Sequence, residues 1–525
     1  MKDNSTKTSE ASASKLSADE RIREAELAFD KKRRSFGMIF GPLMAIIVFL
    51  LPLNGLTVEG HKLLAIMTLV ALWWITEPVP IPVTSLLGPT LAVVTGVVPA
   101  AAAFAPFANP MIFLFMGGFM LAKAMMMHNL DKRFAFGLLS MKWVGSSPTR
   151  IFLAIGLASM LCSGWISNTA TAAMMFPIAL GLLTAIKEML AAKGREIHLH
   201  TYKYATGLML MTAYSASIGG VLTPIGTPPN LIMVGFLDQM AGIKISFFNW
   251  MIWGSVAMVI YFIITYLLLK KMFPADVDRI EGASELIAAK VKELGPWTRG
   301  QRNTLVAFGV AVTLWVLPGV MSVILGNTSP ILKMYNKIFP EAVVAMIAGL
   351  LLFLLPVNWK ERKFTLEWSD AVKGIEWGTL ILFGGGLALG GMMYKTGLSQ
   401  WVGDGISASL GTPNLLTLVA IFSCLALFMA ELTSHTAATN MVGPLGITAA
   451  LSAGLDPVPV AVGIALAASL GFMLPVSTPP NAIVYASGYV PITKMIHTGV
   501  VIDIIGIFLV TIPIVMYLVT WVLGG

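Results

Sequence analysis

Long apolar runs broken by short polar stretches dominate this chain. Met38 to Leu53, Leu63 to Thr76, Met251 to Leu269, Thr304 to Val323, Val343 to Val357 and Val500 to Leu523 approach the roughly 20 residues that a bilayer-spanning helix needs. Runs of this kind predict an all-α polytopic membrane protein with about eleven transmembrane helices. The first 37 residues follow another rule. They are rich in Ser, Thr, Lys and Glu, lack the apolar core of a signal peptide, and end in DKKRR at 30–34. They read as a polar cytoplasmic tail. A first half at 38–273, a connector at 274–302 and a second half at 303–525 follow. Within the connector, ASELIAAKVKEL has the apolar spacing of a short surface helix.

The polar interruptions of the apolar pattern come in pairs. ISNTATAAMMFPIA at 166–179 and TSHTAATNMVGPLG at 433–446 each carry a Ser-polar-Thr triplet with Pro ten positions after the Ser, and the two copies stand 267 residues apart. A Gly-rich span precedes each patch, MIFLFMGGFMLAKAMM and TLILFGGGLALGGMM. A Thr-Pro-Pro-Asn segment follows each, LTPIGTPPNLIMVGF and LPVSTPPNAIVYASG. Three features in one order predict a duplication. Each half is expected to hold a re-entrant hairpin, at about 150–186 and about 415–450, and a broken helix, at about 204–238 and about 460–488.

Composition supports the membrane reading, and charge orients it. Only 12% of residues are charged, against about 25% in soluble domains. The net charge of +8 raises the question of nucleic acid, but its placement excludes that partner. On an alternating path that starts inside, 29 of the 35 Lys and Arg fall in cytoplasmic segments. This places the N-terminus in the cytoplasm and the C-terminus outside, in a bacterial inner membrane. The first patch then lies between basic cytoplasmic stretches, and the second lies between stretches free of Lys and Arg. The two hairpins therefore enter from opposite sides, an inverted repeat of the kind found in secondary transporters. Cys162 and Cys424 lie in apolar segments and read as buried thiols.

The chemistry of the patches follows from their backbone. Pro breaks the helical hydrogen-bond ladder, and Ser, Thr and Asn favour helix starts. Each patch is expected to set a helix N-terminus near mid-membrane, where free N–H groups attract anions. Ser167, Asn168, Thr169, Ser434 and Thr436 supply donors for carboxylate oxygens, and no Arg lies in either patch. Freed carbonyls and side-chain oxygens suit a hard cation. Ser163, Ser167, Asn168 and Gly226 are the candidates for a Na⁺ cage in the first half.

At these residues the chain resembles the divalent anion:sodium symporter family, which carries dicarboxylates, citrate and, in some members, sulfate. The resemblance rests on WWITEPVPIPVTSLL at 73–87, the paired Ser-x-Thr patches, TPIGTPPN and VSTPPN, and covers nearly the whole chain after the tail. It implies a homodimer, a scaffold and a transport domain in each subunit, and an elevator movement of the latter. It implies substrate contact at Ser167, Asn168, Thr169, Ser434, His435, Thr436, Thr478 and Pro479. A first Na⁺ site at Ser163, Ser167, Asn168 and Gly226 and a second around Thr433, His435 and Ser477 are implied as well. The family's second motif reads Thr-Glu-x-Thr-Ser-Asn-Thr, whereas this chain has AELTSHT, with Ala430 and His435 as departures.

His435 has three readings. It is a neutral hydrogen-bonding substitute for Asn, a cation that takes the place of the second Na⁺, or a structural residue. The expected function is a Na⁺-coupled carrier of succinate-, malate- or fumarate-class anions. The alternatives are a Na⁺-independent or proton-linked dicarboxylate exchanger and a carrier of sulfate or another inorganic anion. An enzyme is not expected: of the six His, HLH at 198–200 suggests a metal but lies in a basic loop without acidic or Cys partners and reads as solvated, and the lack of a phosphate-binding loop counts against a primary pump. Glu77, Lys123 and Glu431 are read as structural charges, with Glu431 orienting the second hairpin.

Overall fold

The computed structural model describes residues 18–411 and 413–519. Helices form nearly all of it, and a single two-stranded antiparallel ribbon, β1 (Pro356–Asn358) and β2 (Lys363–Phe364), is the strand content among the described residues. In chain order the helices of the first half begin with α1 (Ala18–Leu50), α2 (Val58–Thr76), α3 (Ile81–Val94), α4 (Ala100–Phe104), α5 (Pro110–Met127) and α6 (Leu130–Leu139). There follow α7 (Pro148–Ser163), α8 (Asn168–Ala192), α9 (Lys203–Gly220), α10 (Pro228–Ala241) and α11 (Phe247–Met272). The connector holds α12 (Ala283–Glu293), at the place where the sequence spacing predicts a short surface helix.

The second half contains α13 (Arg299–Leu325), α14 (Pro330–Ile338), α15 (Glu341–Leu354), α16 (Trp368–Gly374), α17 (Trp377–Lys395) and α18 (Leu398–Leu410). It ends with α19 (Leu415–Leu432), α20 (His435–Ser452), α21 (Pro457–Ala468), α22 (Pro479–Tyr485) and α23 (Ile492–Ile505), which continues through π-helical turns to Val519. Among the described residues nine helices are long and apolar enough to cross a membrane, or ten if the bent pair α14–α15 is one span. The sequence pattern counts about eleven, because it joins pieces that the structure separates. The difference lies in α9–α10 and α21–α22, where α10, α21 and α22 are short and α9, though 18 residues long, is too polar to count alone.

Local chemistry explains where these helices start and stop. The Ser167 side chain accepts from the Ala170 N–H at 3.3 Å, and Ser434 accepts from Ala437 at 3.2 Å. Asn414 caps α19 through the Thr417 N–H at 2.8 Å, and Thr298 with Gln301 forms a capping box at α13. Pro228 and Pro479 each stand at the first helical position, where a missing N–H costs nothing.

Packing divides between a lipid-facing belt and a polar interior. Ile39, Ile46, Leu50, Val306, Val323 and Ile324 are exposed on α1 and α13, as a hydrocarbon solvent demands. Inside, small residues bring backbones together. A Cβ on Gly219 would lie 2.1 Å from the Met160 carbonyl, so α9 and α7 meet backbone to backbone only because that position is Gly. The two halves interlock: α10 packs on α20 and α21, while α22 packs on α8 and α9. Tyr214 Oη donates to the Phe472 carbonyl at 2.8 Å and Tyr261 Oη donates to Ile502 at 3.0 Å, both across the halves.

Of the charges read as structural, Glu77 ends α2 at φ +48° and pairs with Arg33 of α1 at 3.9 Å. The stem of Lys123 packs against Gly374, where a Cβ would come within 2.5 Å of the Lys Cγ. Cys162 and Cys424 are free thiols.

Candidate anion and cation site

Both Ser-polar-Thr patches reach one cavity of about 310 Å³. Its walls include Ser167, Asn168 and Thr169 from the first patch, Ser434, His435 and Thr436 from the second, and Gly226, Thr227, Ser477, Thr478 and Pro479 from the two broken-helix loops. Residues that lie far apart in the chain are thus gathered on one volume. The N-caps of α8, α10 and α20, namely Ser167, Thr227 and Ser434, all border it, and Thr478 starts the short α22 beside them. Helix N-termini bring partial positive charge and free N–H groups, and the caps add hydroxyls. Among the described residues no Lys or Arg lines the cavity. A volume of this size falls within the usual range of small-ligand pockets, about 300–1,000 Å³. A larger cavity of about 670 Å³ beside Trp165, Trp297 and Phe308 is walled mainly by apolar side chains and gathers no hydroxyls.

Beneath the first patch, oxygens converge. Ser163 is fully buried and donates to Asn168 Oδ1 at 2.7 Å. A Cβ built on Gly226 would lie 2.5 Å from the Gly220 carbonyl oxygen, 3.0 Å from that of Ser163 and 3.1 Å from that of Gly164. Gly is therefore required here, and the space it leaves is bordered by three carbonyl oxygens. Asn230 steadies this cradle, with Nδ2 donating to Gly220 O at 3.1 Å and Thr223 O at 2.8 Å. Such an oxygen-only set fits a hard cation such as Na⁺.

Beneath the second patch the frame is the same and the contents differ. Asn481 Nδ2 donates to Gly471 O at 2.9 Å and Leu474 O at 3.0 Å, the counterparts of the Asn230 bonds. Asn168 packs on Gly220, and His435 packs likewise on Gly471, its Nε2 lying 2.8 Å from where a Cβ would be. Ser477 stands where the first half has Gly226, and its own side chain fills the space. Thr433, fully buried, donates away from the cavity to the Trp74 carbonyl at 3.0 Å.

Glu431 occupies the position of Gly164. Its carboxylate accepts from the Met473 N–H at 2.9 Å, the Leu474 N–H at 3.2 Å and Ser477 Oγ at 2.5 Å. It holds the 473–477 loop, rather than the hairpin turn itself. Asp503 of α23, also buried, accepts from the Phe472 N–H at 3.4 Å on the same loop. This second cradle is occupied by side chains and is a poor fit for a second Na⁺. His435 Nε2 is buried without a hydrogen-bond partner.

These features have counterparts among known proteins. The profile of the sodium:sulfate symporter transmembrane region matches residues 34–523. The chain belongs to that family, the divalent anion:sodium symporters. Within it, the chain is 34% identical over 491 residues to the sodium-dependent dicarboxylate transporter SdcS of Staphylococcus saprophyticus, spanning 93% of this chain and 92% of that one. It is 33% identical over 501 residues to SdcS of Staphylococcus aureus strain RF122, spanning 94% of each. Among solved structures, the Alcanivorax borkumensis YdaH transporter shares the fold at a TM-score of 0.53 and 13% identity, covering 82% of this chain and 88% of that one.

One wall residue escapes the sequence reading. Glu376 caps α17 and lines the cavity, although the motifs do not single it out. The one signal in the chain is its place between apolar Ile375 and Trp377, directly ahead of the Gly-rich span.

Proposed function

We propose that this chain is a secondary active transporter that carries small dicarboxylates of the succinate, malate and fumarate class together with Na⁺. It is a transporter rather than an enzyme. The observation that carries the reading is the meeting of both patches, with their helix N-termini and hydroxyls, on one cavity free of Lys and Arg. Neutral donors and helix ends hold a dianion and still release it, where a bidentate Arg would hold harder. Hydroxyls of Ser167, Thr169, Ser434 and Thr436 and the Asn168 amide donate to the two carboxylates, with Thr478 and Pro479 closing the wall. The names of the SdcS relatives support Na⁺ and dicarboxylate as the pair carried.

Ser163, Ser167, Asn168 and Gly226 hold the coupling Na⁺ in this reading, supported by the three carbonyl oxygens that border Gly226. Bound there, Na⁺ supplies positive charge next to the substrate. In the second half, Thr433, His435 and Ser477 hold no second Na⁺. His435 stands in for Asn as a neutral imidazole, because its buried Nε2 has no hydrogen-bond partner among the described residues and the Glu431 carboxylate is engaged instead by Met473, Leu474 and Ser477. The proposal includes inverted repeats at 38–273 and 303–525, an elevator movement of a transport domain against a scaffold, and a homodimer. It also includes a cytoplasmic N-terminus and an outer C-terminus in a bacterial inner membrane. The matching Asn230 and Asn481 bonds support the repeat.

Radiolabelled succinate uptake into proteoliposomes tests the function. Na⁺ outside, replaced in a parallel arm by K⁺, is combined with a lumen that is empty or loaded with malate. Uptake into empty vesicles only with Na⁺ is the expected result. Uptake confined to loaded vesicles and indifferent to Na⁺ makes the protein an exchanger. Competition by sulfate but not by succinate or malate overturns the dicarboxylate reading.

A further inference from the structure

A cavity built to hold anions contains an acid. Glu376 borders both the 310 Å³ cavity and a small adjoining one next to Trp165 and Ile225, and among the described residues it is the one acidic residue on either wall. Its Oε2 accepts from Thr379 Oγ1 at 3.2 Å. Ser167, the first-patch N-cap, stands with it on both walls. Ser167 Oγ accepts the Ala170 N–H, so its own proton is free to go to Glu376. Among the described residues Glu376 makes no ion pair. A carboxylate without a cation, set beside a donor of the anion site, is placed to do what a substrate carboxylate does.

Two consequences follow from charge and geometry. An arriving dianion must take Ser167 from Glu376, so the empty site carries its own competitor. Once a dianion is bound, a further negative charge in a cavity of this size sits within several ångströms of Glu376, at a distance where like charges repel strongly and salt screens poorly.

We propose that Glu376 is the specificity-determining residue of this cavity, a built-in carboxylate that occupies Ser167 in the absence of substrate and admits dicarboxylates while rejecting tricarboxylates. The inference rests on the reading of the cavity as the dicarboxylate site.

The test is inhibition of labelled succinate uptake in proteoliposomes, with succinate and citrate as competitors at a pH where citrate is a trianion. In Glu376→Gln the apparent KM for succinate falls and citrate inhibits about tenfold more strongly relative to succinate, while Glu376→Asp keeps the discrimination. An unchanged citrate-to-succinate ratio in Glu376→Gln overturns the proposal. So does a weakened Na⁺ activation with the ratio intact, because Glu376 then serves the cation. The unmutated protein gives a second measurement should the variants fail to reconstitute. Tricarballylate is expected to inhibit about tenfold more weakly than its monoamide, which has the same shape and one charge fewer, and equal inhibition overturns the proposal. Ser434→Ala separates the two levels of the reading. If it leaves the succinate KM unchanged, the cavity is not the substrate site. If it raises KM while Glu376→Gln leaves the ratio alone, only the role of Glu376 falls.

Discussion

The two patches keep the same helix caps and differ in what lies underneath. Ser167 and Ser434 each cap a helix that borders the cavity, and Asn230 and Asn481 each tie the loop behind it. Below the first cap stand Ser163, Gly164, Asn168 and Gly226, an arrangement that leaves space among oxygens. Below the second stand Ala430, Glu431, His435 and Ser477, which fill that space, with Ser477 donating to Glu431. In the proposed reading, anion donors are thus kept in both halves, while the cation cradle is open in one. Small residues at two positions, Gly164 and Gly226, account for most of the difference.

The largest effect that separates the halves is expected from Gly226→Ala. A methyl group would press on the carbonyl oxygens of Gly220, Ser163 and Gly164, so Na⁺ activation of uptake is lost altogether, whereas Ser477→Ala leaves it in place. Uptake measured against external Na⁺ for both variants checks this. Equal loss in the two breaks the comparison.

Stability should show the reverse asymmetry. Glu431→Ala strands the part-buried Met473 and Leu474 N–H groups and the buried Ser477 hydroxyl, at a cost of about 3 kcal/mol, the low end for three donors at about 1–3 kcal/mol each. The variant's Tm in detergent falls by several degrees. Gly164, its counterpart, offers only a carbonyl, which Thr223 Oγ1 meets, so Thr223→Val costs less.

The smallest effect belongs to the clamp between the first half and the connector. Asp276 accepts from Tyr202 and Arg195. Burial pushes its carboxyl up, and the hydrogen bonds from Tyr202 and Arg195 with the Arg195 charge outweigh burial, leaving it below the usual carboxylate range. A group lowered in the folded state contributes stability above its unfolded value and loses it as pH falls through the folded one. The clamp is therefore intact at neutral pH and fades only in acid, below about pH 4. Because the pair is part-exposed, Asp276→Asn at pH 7 costs about 1 kcal/mol or less.

Much of this architecture is legible in the chain because membrane helices must satisfy their own backbone. Ser167, Ser434, Pro228 and Pro479 announce the interrupted helices, since few other residues start a helix in lipid. The close approach of carbonyl oxygens at Gly226 falls at the Gly of TPIGTPPN that the sequence singles out. Glu376 is not singled out, because its relation to Ser167 spans more than two hundred residues and depends on how α17 lies against the first hairpin. The filled state of the second cradle also escapes a sequence reading. It arises from Glu431, His435 and Ser477 together, of which only His435 stands out in the chain as a departure. The connector helix α12 shows its amphipathic spacing plainly and was readable from that alone.

The central claim is that one half holds Na⁺ and the other does not. The most direct test is the slope of succinate uptake against external Na⁺ in proteoliposomes, for the parent and for His435→Asn with Ser477→Gly. A Hill coefficient of about 1 is expected for the parent, since it cannot exceed the number of sites, and a steeper slope is expected once the second cradle is opened. A parent slope of about 2 or more would contradict the account, because a second Na⁺ would then bind where His435 and Ser477 fill the cradle.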